Sequence, residues 1–72
     1  MSGLAPLTNS PAVRYARGRV APEALEDHLC RRCWEDGWGD KRIAAELAVD
    51  RRTVALWIAF LAGQRVQRLF GA

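Results

Sequence analysis

Histidine occurs once in this sequence and cysteine twice, so the residues from which metal and nucleophilic sites are usually built are scarce. His28, Cys30 and Cys33 read as His-x-Cys-x-x-Cys, but zinc needs four tetrahedral ligands and no second Cys/His pair completes the set. Helical geometry also spreads His28 away from Cys33. Both cysteines are expected to pack as small apolar core residues, and His28 to sit at the surface or its boundary. A Cys-x-x-Cys redox centre would need a surrounding strand–helix unit, which the pattern does not offer. An intracellular setting argues against a disulfide. Nucleophile–base pairs, paired acids in a pocket and glycine-rich phosphate loops are likewise missing. The expectation is a protein that is not an enzyme and needs no metal or cofactor.

Long apolar runs are absent too. The longest, Val54 to Ala62, has nine residues, against the roughly 18 of a membrane span. The N-terminus lacks the apolar stretch of a signal peptide. A soluble, cytoplasmic protein with no membrane partner is expected. No segment alternates in the manner of a half-buried strand, which excludes β architectures.

What remains is short and rich in apolar residues. Seventy-two residues, half of them hydrophobic, make one small domain. A chain of this size buries only roughly 60% of its unfolded surface. The net charge of +3 is unevenly spread. Arg14, Arg17 and Arg19 come first. Glu23, Glu26, Asp27, Glu35, Asp36 and Asp40 then outnumber Arg31 and Arg32. Lys41, Arg42, Arg51, Arg52, Arg65 and Arg68 finally outnumber Glu46 and Asp50. An acidic middle between two basic segments can turn one face toward a polyanion, or can be no more than solvated surface.

Pro6, Pro11, Gly3, Gly18 and the Thr8-Asn9-Ser10 cluster read as a flexible basic leader over residues 1–21. Pro22 suits the first turn of a helix running to Asp36, with Leu25, Leu29 and Cys33 as its apolar stripe beside Cys30 and Trp34. Gly37 is placed to end it in a left-handed conformation. Lys41 to Ala48 predicts a second helix burying Ile43, Ala44 and Leu47. Asp50 predicts an N-cap for a third, Arg51 to about Ala62, burying Val54, Trp57, Ile58 and Leu61. Gly63 is expected to end that helix, and 64–70 to form a tail or short extra helix with Val66, Leu69 and Phe70 as its apolar side. The expected class is all-α: a three-helix core over 22–62, with 63–72 as the C-terminal tail.

The stretch from Gly37 to Ile58 resembles the homeodomain-like helix-turn-helix. That module occurs in resolvase and transposase tails, phage small terminase subunits and short bacterial regulators. The shared features are Gly37, an aromatic at Trp38, a helix cap, Ile43-Ala44, Leu47, Val49, Thr53-Val54 and Trp57-Ile58. Asp50 replaces the usual Ser, and its side chain is expected to accept a hydrogen bond from the N–H of Thr53. Ala48 replaces the usual turn Gly, so a left-handed residue there is strained by roughly 1 kcal/mol.

The resemblance implies that the third helix enters the DNA major groove. Carried over, the contact positions are Asp50, Arg51, Arg52, Ala55, Leu56 and Ala59. A guanidinium can clamp a guanine or a phosphate with two bonds, which suits Arg51 and Arg52. Lys41 and Arg42 are placed to hold phosphates. Arg17-Gly18-Arg19 resembles the core of an AT-hook, although Ala16 and Val20 stand where that motif has prolines. More loosely, Arg14, Arg17 and Arg19 suggest a basic arm on the DNA backbone.

One feature pulls the other way. Ala55, Leu56 and Ala59 cannot supply the hydrogen bonds that tell bases apart. With Phe60, they make the third helix apolar nearly all round, as in a helix buried on several sides. Leu56, Ala59, Phe60 and Phe70 are therefore candidates for a protein interface. Two functions are expected: sequence-directed binding of double-stranded DNA by a small transcriptional or phage-type regulator acting as a homodimer, or an adaptor that grips a protein partner through the third helix.

Overall fold

The computed structural model describes residues 6–70, which form four helices and, among the described residues, no strand. Residues 1–5 and 71–72 of the expected leader and tail lie outside this range. Helix α1 spans Pro11–Val20. Helix α2 spans Leu25–Cys30 and continues as a wider π-helical turn over Arg31–Glu35. Helix α3 spans Asp40–Leu47 and α4 spans Arg51–Phe70. An all-helical fold was expected; its boundaries differ at both ends.

The first correction concerns the leader. Residues 11–20 are helical and packed, where the prolines and glycines suggest flexible chain. Pro11 does not break a helix but starts one, as a first-turn residue whose missing N–H costs nothing there. The Ser10 hydroxyl accepts a hydrogen bond from the Val13 N–H at 3.2 Å and caps the helix. Val13 and Ala16 are buried, as is Leu7 upstream of the cap.

A second correction moves the start of the next helix. The Ala21–Pro22 peptide is cis and Pro22 lies in a turn, where the Glu23 N–H donates to the Val20 carbonyl. Helix α2 starts at Leu25, and its Leu25 and Leu29 are fully buried as the stripe requires. Gly37 adopts φ +72, the left-handed conformation foreseen for it.

The third correction is at the other end. Gly63 does not stop α4, which runs unbroken for 20 residues, or about 30 Å at 1.5 Å per residue. The molecule's longest dimension is 35 Å, so this helix is its long axis.

Helices α3 and α4 make the most extensive helix pair. Ile43, Ala44 and Leu47 of α3 face Val54, Trp57 and Leu61 of α4, closing over Leu25 and Leu29 of α2. Ile58, Val49, Cys30, Cys33 and Trp38 pack partly buried around this centre. Between α3 and α4, Ala48 holds φ 57, ψ 43. The Val49 N–H then reaches back to the Ala44 carbonyl at 3.1 Å, the bond by which a left-handed residue closes a helix end. The departure from Gly at this position is thus accommodated with the strain expected of it.

Candidate nucleic-acid interface

The turn at Ala48 sets the starts of α3 and α4 side by side, and a shallow cleft between them is lined by Asp40, Lys41, Arg51, Arg52 and Ala55. Lys41, Arg42, Arg51 and Arg52 are all exposed. Among the described residues, the side chains of Lys41 and Arg51 make no hydrogen bond or ion pair with the protein. Arg42 lies over the Trp38 ring at 4.1 Å, held by a cation–π contact that leaves its donors free to reach outward. Two helix N-termini add their own positive ends to this corner.

Asp50 organises the start of α4. Its side chain caps the helix, but it accepts from the Arg52 N–H at 2.7 Å, where the N–H of Thr53 was the expected donor. The Thr53 N–H donates instead to the Asp50 carbonyl at 3.0 Å. Both arrangements satisfy an orphan donor of the first turn. The Arg52 amide and guanidinium hold the Asp50 carboxyl below its usual range, so the group is charged at neutral pH. Arg52 therefore offers its charge with Asp50 beside it at 3.4 Å, whereas Arg51 offers its charge unpaired by a direct bond.

Half of the acids of the middle segment, Glu23, Glu26 and Asp36, are neutralised inside the molecule, as is Glu46 of α3. Glu26 is buried and takes both Arg17 guanidinium nitrogens, at 3.1 and 2.7 Å, together with the Leu7 N–H at 2.8 Å. Glu23 pairs with Arg31 at 2.8 Å, and Arg32 bridges Asp36 and Glu46 at 2.8 and 2.9 Å. His28 is buried between two carboxylates, its Nδ1 2.9 Å from Glu23 and its Nε2 2.6 Å from Glu46. The expectation of a surface or boundary histidine is corrected here. Its neighbours across the helices are charged, and they follow it into partial burial because each carboxylate is shared with an arginine.

These pairs also dissolve the basic arm. Arg17, placed on DNA by the AT-hook likeness, is committed to Glu26. Arg19 donates to the Glu46 carbonyl at 3.0 Å, at the C-terminal end of α3. Of the three leader arginines, Arg14 alone has a side chain without a bond to the protein among the described residues, while its backbone N–H donates to the Ser10 carbonyl. The signals that could have revealed this were the Ser10-Pro11 cap and the spacing of Val13, Ala16 and Val20 behind it.

The other predicted contacts lie along the outward side of α4. Ala55 is half-buried, whereas Leu56 is 73% exposed and Ala59 and Phe60 face solvent. Phe70 is 84% exposed at the end of the same helix rather than on a separate one. Cys30 and Cys33 are free thiols, half-buried against the core, and burial pushes both thiols up from their usual value. No group of three or more His, Cys, Asp or Glu residues able to hold a metal occurs among the described residues. Nor is any described helix long and apolar enough to cross a membrane. Compared with family models, curated proteins and solved structures, the chain matches none.

Proposed function

We propose that the protein binds double-stranded DNA with the paired starts of α3 and α4, in the manner of the helix-turn-helix that residues 37–58 resemble, and that it serves as a small DNA-binding regulator. The observation that carries this reading is the meeting of three exposed cations, Lys41, Arg51 and Arg52, with Asp40 at one cleft, with the exposed Arg42 next in sequence, while Glu23, Glu26 and Glu46 are consumed by internal pairs. A duplex supplies phosphates along a ridge that such a corner can straddle. Lys41, Arg42 and Arg52 suit the backbone, and Arg51, free of a direct partner, is the residue best suited to a base edge.

Fluorescence anisotropy with a random-sequence duplex, across a salt series, tests this. Each neutralised phosphate contributes about −0.9 to the slope of log K against log salt, so three phosphates held by Lys41, Arg42 and Arg52 give a slope of about −3. Replacing both Arg51 and Arg52 by Ala should flatten the slope by about 1, the share of Arg52, and weaken binding at low salt at least tenfold. Negligible binding of the unaltered protein at low salt would refute the reading.

A second reading has its own observation. The outward face of α4 is apolar where a groove-reading helix is polar, with Leu56 and Phe60 exposed. This face fits a protein, and a Leu56→Asp substitution would injure such a contact more than the loss of both arginines.

A further inference from the structure

Leu56, Ala59, Gly63, Val66 and Phe70 recur along α4 at spacings of three, four, three and four residues. That is the heptad seam by which one helix packs along another. Val54, Trp57 and Leu61, which face the core, lie on the opposite side of the same helix. The seam is therefore additional to the fold, and nothing within the chain's described residues covers it: Leu56, Val66 and Phe70 are all more than half exposed. Beyond Leu61 no residue of α4 is buried, so its last two turns gain little from the core that holds the rest.

From these observations we infer that the seam is the interface of a homodimer, with α4 of one copy lying antiparallel against α4 of a second. Three features select a second copy as the occupant. A two-fold contact sets a surface against itself, so it must carry no net charge of one sign. The seam satisfies this. Its flanking positions, Ala55, Ala62 and Leu69 on one side and Phe60 and Gln67 on the other, are also uncharged, in a chain whose net charge is +3. Arg65 and Arg68 fall on the other side of the helix, where Arg65 lies over the Trp34 ring at 4.6 Å.

Shape is the second feature. The middle of the seam is small, Ala59 and Gly63, and its ends are large, Leu56 with Phe60 and Val66 with Phe70. Small residues let two helix backbones approach closely, and the large ones then close over each end. Gly63 has no other evident purpose. A Cβ built there meets nothing within 4 Å in the single chain, although glycine in mid-helix is unfavourable. The third feature is area. The exposed seam amounts to on the order of 500 Å² of apolar surface, within the range of a monomer's largest patch, a patch that is often functional. Two copies would together withdraw at most about 1,000 Å² from water, the threshold of a specific interface and the size of a weak one.

Charge selects the antiparallel arrangement. A parallel pair would bring together the two Arg51-Arg52 ends and the two positive helix termini. The antiparallel pair puts each arginine end beside the Phe70 end of the other copy. This inference does not rest on the DNA reading. It gives Leu56 and Ala59 a protein neighbour in place of a base edge, and so accounts for their apolar character.

Sedimentation equilibrium of the full chain without DNA, over micromolar to millimolar concentration, tests the proposal. A concentration-dependent shift from 8.0 kDa toward twice that mass is expected. Val66→Glu should raise the dissociation constant at least tenfold, with circular dichroism showing the helical fold retained, since Val66 lies outside the core. A monomer at all concentrations overturns the proposal, as does a dimer that Val66→Glu leaves unchanged. A second measurement needs no variant. In a sample mixing labelled and unlabelled chains, nuclear Overhauser contacts between copies should join Leu56 methyls to Val66 methyls or the Phe70 ring. Contacts joining Leu56 only to Leu56 of the other copy would overturn the antiparallel arrangement. Failure of DNA binding in the anisotropy series leaves these outcomes untouched.

Discussion

At the scale of single residues, the turn between α3 and α4 holds the most direct stability lever. Ala48 is exposed and sits at φ 57, where a Cβ crowds the following carbonyl. Ala48→Gly removes that crowding without disturbing any packed side chain. Glycine's greater freedom in the unfolded chain offsets part of the gain. A net stabilisation of about 0.5–1 kcal/mol is expected, visible as a rise of several degrees in the midpoint of a thermal melt. A lower midpoint would show that the left-handed geometry carries no strain. Glu26 is the opposite case. Its buried carboxylate gathers Arg17 and the Leu7 amide, and Glu26→Gln leaves the guanidinium facing a neutral group. Breaking a fully buried pair costs about 3–5 kcal/mol, but Arg17 is 35% exposed and water compensates it in part. A loss of about 2 kcal/mol is expected in chemical denaturation. An Arg17→Met partner in a double-mutant cycle isolates the pair itself, and a coupling near zero would mean that the Leu7 bond alone matters.

At the scale of elements, α1 depends on its cap. The Ser10 hydroxyl serves the Val13 N–H, and Ser10→Ala should cost about 1 kcal/mol. Because Val13 and Ala16 anchor α1 in the core, amide exchange should quicken over the whole helix and not only in its first turn. Exchange confined to residues 11–13 would mean that α1 is held by packing alone. This helix also shows where sequence reasoning failed and why. The periodicity of Ile43, Ala44 and Leu47, and of Val54, Trp57 and Leu61, announced two buried faces, because apolar spacing is a local property. Pro11, a breaker by its surroundings of Pro and Gly, starts a helix, and Pro22, a first-turn residue by the acids after it, lies in a turn. A proline is a start signal or a break according to what precedes it, and Ser10 was the deciding residue. Glu26 could not be matched to Arg17 or to Leu7 from the sequence, since such pairings depend on how α1 folds back over α2. In the candidate interface, the exposure of Lys41, Arg42, Arg51 and Arg52 was legible from their place off the apolar stripes of α3 and α4. That Arg17 and Arg19 are withdrawn from it was not, because their partners lie on other helices.

At the scale of the whole molecule, the fold depends on carboxylates remaining charged. Glu23, Glu26 and Glu46 tie the segment before α2, α2 itself and α3 to arginines and to His28. The three do not share one balance of causes. Hydrogen bonds from Arg31 and then His28 draw the Glu23 carboxyl below its ordinary value of 4.5. For Glu26 and Glu46, burial pushes upward most strongly. Arg17 and the Leu7 amide outweigh it at Glu26, and His28 and Arg32 outweigh it at Glu46, so both also end below 4.5. A carboxyl whose value is lowered on folding contributes stability that is fully present above its unfolded value. That contribution is lost as the pH falls through the lower, folded value. Melting temperatures should therefore stay level from pH 7 down to about 5 as far as these groups are concerned, then fall steeply below about 4.5. At that point the eight acids lose their charge while the eleven lysines and arginines keep theirs, and the unscreened positive charge adds to the loss. Added salt at low pH should then recover part of the stability by screening the repulsion, but not the part owed to the protonated pairs. Thermal melts followed by circular dichroism between pH 7 and 3, with and without salt, separate the two contributions. A midpoint unchanged at pH 3 would mean that the apolar core alone, without its ring of shared carboxylates, suffices to hold the four helices together.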